Sequence, residues 1–191
     1  SQSRLWENVV GRSLPFWRWF YPRVQQAFPG PLGDVPLEVF HTAINRPVRS
    51  LIRVDADETS YGLHVILRFE LERELVSGRL AVADLPEAWN TRFRELIGLD
   101  VPDDRLGVLQ DSHWAGGLIG YFPTYLLGSV LSVQIWEKAS DAIPDVAERI
   151  ERGDFSELHD WLRDNLWSLG KKLTPADTIE RVVGGPISPE P

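Results

Sequence analysis

The chain has 191 residues, 43% of them hydrophobic, enough to fill the core of one domain or of two closely packed halves. Its formal net charge of -8, with Lys and Arg interleaved among Asp and Glu, argues against a nucleic-acid partner, which needs clustered basic residues. The absence of cysteine excludes disulfides and thiolate metal sites and suits a cytoplasmic chain, and no apolar run approaches the roughly 20 residues of a membrane-spanning helix.

Leu5, Trp6, Val9 and Val10 recur at helical spacing, with Gly11 as the expected C-cap. A second helix opens on Ser13 as N-cap with Pro15 near its first position. It carries the aromatic set Phe16, Trp17, Trp19, Phe20 and Tyr21, and Pro22 is expected to bend or break it. Such a face suits either core or a docking surface. A loop follows, then a short helix from Pro36. Residues 50–57 read as a brief extended piece feeding a long helix, with Tyr61, Val65, Arg68, Phe69 and Leu75 at spacings of three to four and Gly78 stopping it.

Asp84 with Glu87 three residues on predicts a capping box for the next helix. Beyond residue 114, glycines at 117, 120 and 128 imply close backbone approach beside a long buried helix, with Pro123 early in it. Phe155, Leu158, Trp161, Leu162, Leu166 and Leu169 line one face of a strongly amphipathic helix, and Thr174 with Pro175 starts the last one. The tail from Pro186 is expected to fray. No repeat or low-complexity linker divides this pattern, so residues 1–191 read as a single continuous all-α region.

The chemistry the sequence lacks is informative. There is no His-Glu-x-x-His, no histidine pair at ligand spacing among the four present, no glycine-rich phosphate cradle and no nucleophile elbow. What remains is two polar clusters. The first holds Arg53, Asp55, Asp57, Glu58, Tyr61 and His64, and its plain reading is Asp57 as a helix N-cap with Arg53 in an ion pair. The second, "GVLQDSHW" at 107–114, brings Gln110, Asp111, His113 and Trp114 together. Its plain reading is Asp111 capping a helix beside a core histidine.

"IRVDAD" at 52–57 and "GVLQDSHW" resemble two motifs, Ile-Arg-x-x-Ala-Asp and Gly-x-x-Gln-Asp-x-His-Trp, of the thermostable carboxypeptidase Taq family of zinc metallocarboxypeptidases. Both match at every specified position, and the resemblance extends through "SQSRLWEN", "YGLHVILRFELE" and "GYFPTYLLG". It implies the C-terminal part of a mostly helical fold with a deep central groove. It also implies a homodimer in which zinc-bound water, or water on cobalt, removes one residue from the free C-terminus of peptides. In that family the metal ligands form a His-Glu-x-x-His helix and a later Glu just before the segment that Ser1 begins. The resemblance therefore implies that they precede residue 1, and that the chain alone binds no catalytic metal and is inactive. The missing methionine at position 1 agrees with a truncated or processed chain.

On this resemblance Arg53 is the candidate for the substrate's terminal carboxylate, a group that a guanidinium fork matches in two places. His113 is the candidate catalytic donor to the developing oxyanion. Gln110 and Tyr121 are candidates for contacts with the substrate backbone. Asp57 is expected to fix Arg53, and Asp111 to orient the imidazole or its helix. The competing reading is a helical interaction module that dimerises through residues 16–21.

Overall fold

The computed structural model describes residues 1–189. Glu190 and Pro191, the end of the tail expected to fray, lie outside the described residues. In chain order the helices are α1 Gln2–Arg4, α2 Leu14–Ala27, α3 Pro29–Leu32, α4 Leu37–Ile44, α5 Glu58–Val76, α6 Leu85–Ile97, α7 Pro123–Ala142, α8 Val146–Glu151, α9 Ser156–Asn165 and α10 Pro175–Val183. A wider π turn, Leu5–Val10, follows α1. No strand occurs among the described residues, as the all-α reading requires. The chain divides into two compact units, one formed by Ser1–Ile44 with Leu127–Pro191 and the other by Asn45–Leu126.

The first unit is built on α2. Ser13 caps it by accepting from the Phe16 amide at 3.3 Å, which satisfies one of the amides that a helix start leaves open. The helix then runs unbroken through Pro22 to Ala27, contrary to the expected break. Proline removes one backbone donor, but the neighbouring Tyr21 is anchored: its ring stacks on Phe40 at 4.6 Å and its hydroxyl donates to the Val35 carbonyl at 2.9 Å. Phe16 meets Trp17, Trp19, Phe20 and Phe155 at 5.4 to 6.4 Å, so the aromatic set folds largely into its own unit.

The core of this unit joins Leu5 and Val10 to Ile135, Ala139, Ile150, Leu158 and Leu162. The predicted stripe of α9 supplies Leu158 and Leu162, with Phe155, Trp161 and Leu166 packed at the margin. α7 is less buried than its composition predicts, with only Ser132, Ile135 and Ala139 enclosed, because one stripe of it faces the core. Gly11 is needed for space and not for a left-handed turn. Its φ is -69°, and an added Cβ would lie 2.8 Å from the carbonyl oxygens of Trp6 and Glu7. The tail is also more ordered than expected as far as Ser188, since Gln134 donates to the Pro186 carbonyl and accepts from the Ser188 amide.

The second unit packs α5 on α6 around Leu67, Leu71, Trp89, Phe93 and Ile97. Asp57 caps α5 as read from the sequence, accepting from the amides of Thr59 at 2.8 Å and Ser60 at 2.9 Å. The piece before it is not simply extended, because a 3-10 turn, Arg53–Asp55, lies between extended Ile52 and Ala56. The capping box expected at α6 does not form. A second 3-10 turn, Val82–Asp84, runs straight into α6, which leaves Asp84 at φ -92° and ψ -4° instead of the extended geometry that a capping side chain needs.

Candidate functional site

The site belongs to the second unit and grows from one side of α5. Tyr61, His64, Arg68 and Glu72 follow one another at spacings of three or four, so they share a face, and all four are buried. Arg68 has no exposed surface. A guanidinium at such a depth requires a counter-charge, and the sequence supplies it from the second cluster.

Asp111 is that counter-charge, and it serves two arginines at once. Arg53 donates to it from Nη2 at 2.6 Å and from Nε at 3.2 Å to each oxygen, while Arg68 Nε reaches Oδ2 at 2.5 Å. Burial opposes the Asp111 charge. The two guanidiniums outweigh that opposition and hold its carboxyl below the usual range. Burial pulls Arg68 down to about 10, which leaves it charged at neutral pH. Aromatic rings complete the shell: Arg68 lies 4.6 Å over Trp89 and 5.5 Å from Phe122, and Arg53 lies 5.1 Å over Tyr125.

Two clamps hold this arrangement. Gln110 accepts from the Arg53 amide at 2.9 Å and donates to the carbonyls of Leu51 and Leu106, which ties the first motif to the second. Its amide is thereby engaged at both ends, which places it as a side chain that positions Arg53. Glu72 forms the other clamp, accepting from Trp114 Nε1 at 2.7 Å and from the Gly120 amide at 2.6 Å. Gly120 has φ 78°, a left-handed turn that carries the chain from this clamp toward Tyr121.

His113 packs 4.5 Å from the Phe122 ring and makes a 3.0 Å hydrogen bond between Nε2 and the Tyr125 hydroxyl. Its Nδ1 stands 3.6 Å from Asp111 Oδ1, too far for a hydrogen bond, so Tyr125 orients the imidazole more directly than the expected Asp111. Burial raises the Tyr125 pKa and keeps its phenol a donor. Tyr121 is 44% exposed and its ring lies 5.9 Å from His113. Asp57, expected to fix Arg53, instead directs its carboxylate to Val48, Thr59 and Ser60. It is engaged as a helix cap, and Asp111 fixes the arginine.

The structure thus gathers Arg53, Gln110, Asp111, His113 and Tyr121 in one region and leaves Asp57 beside it. Sequence reading missed the roles of Arg68, Glu72 and Tyr125. The signal for the first two was present, because a charged residue on the buried stripe of a helix marks an internal partner.

Among the described residues no three of His, Cys, Asp and Glu come together as a metal-binding group.

The sequence pattern of one family, carboxypeptidase Taq (M32) metallopeptidase, matches this chain over residues 1–191. The chain belongs to that family. Thermostable carboxypeptidase 1 of Thermus thermophilus is 48% identical over 191 residues, covering 100% of this chain and 37% of that protein. Carboxypeptidase 1 of Bacillus subtilis is 40% identical over 184 residues, 96% of this chain and 37% of its own length. The crystal structure of the M32 carboxypeptidase from Deinococcus radiodurans R1 superposes with a TM-score of 0.95 at 47% identity, over 98% of this chain and 38% of that one. The chain spans little more than a third of the relatives it matches.

Proposed function

We propose that this chain supplies the substrate-reading wall of a metallocarboxypeptidase that removes single residues from the free C-terminus of peptides. The observation that carries the reading is the state of Arg53. Asp111 accepts from its Nε and Nη2 and the Tyr61 hydroxyl from its Nη1, which leaves one N–H on each terminal nitrogen without a hydrogen-bond partner. Those two donors suit the two oxygens of a terminal carboxylate, and the Gln110 clamp on the Arg53 amide fixes where they stand. His113 and Tyr125, linked at 3.0 Å, act together as the donor to the carbonyl oxygen as it gains charge, with Tyr121 exposed beside them for the substrate backbone.

On this reading zinc or cobalt is supplied by residues other than the described ones, the parent is a cytoplasmic homodimer, and the 191-residue chain is inactive by itself. The test is release of the C-terminal residue from a blocked dipeptide in zinc-supplemented buffer. It compares this chain with a longer protein that includes a His-Glu-x-x-His helix upstream. Activity in the longer form alone, lost on Arg53→Ala, is the expected result. Activity of the short chain refutes its predicted inactivity, and an Arg53→Ala enzyme with unchanged KM and kcat refutes the role of Arg53. The rival interaction module draws little support, because the aromatic set it needs is packed around Phe16 and Phe155.

A further inference from the structure

Arg68 has no place in the proposed contact with substrate, yet it is fully buried and charged beside it. Arg53 and Asp111 alone would form a neutral pair. A neutral pair attracts an incoming carboxylate weakly, since the field of Asp111 cancels that of Arg53 at a distance of a few ångströms. Arg68 changes the sum. Its Nε takes Asp111 Oδ2 while Oδ1 faces Arg53 Nη2 at 2.6 Å, so one carboxylate is divided between two guanidiniums.

The other acids near α5 keep their charge but pair with neither arginine. Glu72, the next acid along α5, is held by Trp114 and Gly120 and makes no ion pair with either arginine. Asp57 is engaged at the start of α5. His64 makes no hydrogen bond from either ring nitrogen. Arg68 Nη1 donates to the His64 carbonyl at 2.6 Å, which locks the side chain against its own helix, and the Trp89 ring covers one face.

We propose that Arg68 is a positioning residue that keeps the Arg53–Asp111 pair cationic, so that the site selects peptides ending in a free carboxylate over those ending in a neutral group. This deepens the reading of Arg53 given above and rests on it. The alternative is that Arg68 only fills the space between Trp89 and Phe122, in which case its charge is irrelevant to ligand choice.

The experiment measures binding of hippurate and of its neutral amide, hippuramide, to the 191-residue chain by calorimetry, and reads their affinity ratio. The unmodified chain is expected to prefer hippurate. Arg68→Met should lower that preference at least about tenfold while leaving hippuramide binding in place, and Arg68→Lys should retain it within about threefold, as expected for loss and retention of one buried charge. Preference undiminished in Arg68→Met overturns the proposal. So does a loss in Arg68→Lys, which keeps the charge; this variant decides the matter if the Met variant fails to fold. A chain whose preference vanishes on Arg53→Ala but survives Arg68→Met sinks only the role of Arg68. A chain with no preference for hippurate sinks the reading of Arg53, and this inference with it.

Discussion

At the scale of single residues, the Arg53–Asp111–Arg68 group is the most consequential feature and also the most exposed to mutation. Removing Asp111 would leave two guanidiniums buried without a counter-charge. Asp111→Ala should therefore destabilise the chain by about 3–5 kcal/mol, read from urea unfolding, whereas an exposed ion pair such as Arg18–Glu151 should contribute less than about 1 kcal/mol. His64 adds a dependence on pH. Burial, and then the charges of Arg68 and Arg53, lower its pKa to about 4 from the ordinary 6.5. Between those values the unfolded chain binds a proton that the folded chain refuses, so stability falls as pH drops from about 6.5 toward 4. His64→Leu should flatten the stability profile in that window, and an unchanged slope in urea titrations at several pH values would contradict the assignment.

At the scale of elements, the helix starts separate two sequence patterns that look alike. Asp57 and Asp84 both precede a helix, but only Asp57 has extended backbone and a carboxylate bonded to the amides of the first turn. Asp57→Ala should cost about 1–2 kcal/mol and Asp84→Ala a few tenths, a contrast that thermal melts of the two variants will show. The difference was not legible in sequence, because the turn at Val82–Asp84 sets the backbone before the cap can act. Gly98 closes α6 with a φ of 75°, the left-handed cap that favours glycine, and an added Cβ would also press within 2.8 Å of Arg49 Nη1. The amphipathic period of α9 translated directly into its buried face, since one apolar stripe has one way to be covered.

At the scale of the whole molecule, one hydrophobic cluster supports the first unit and two support the second, and the candidate site draws its residues from the second unit alone. No helix of the described residues is long and apolar enough to cross a membrane. Because those residues offer no group of metal ligands, zinc at a stoichiometric amount should leave the melting temperature of the 191-residue chain unchanged. A metal bound to the folded state alone would raise it, so an upward shift would reveal a site formed differently.

Helical class, most helix starts and the two motifs that lead to Arg53 and His113 are written in local patterns, and local patterns are what short-range sterics and amphipathic period can encode. Which groups meet was decided by the tertiary structure. Asp111 is 58 residues from Arg53 and 43 from Arg68, and no spacing rule joins such positions. The same applies to Gln110, whose amide looks free in sequence and is engaged in space, and to Tyr125, whose role depends on a histidine 12 residues earlier turning toward it. Charges on the buried stripe of α5 announced that partners must exist, because an unpaired guanidinium cannot remain away from water. Only the packing of the 107–121 segment against that helix determined which partners they are.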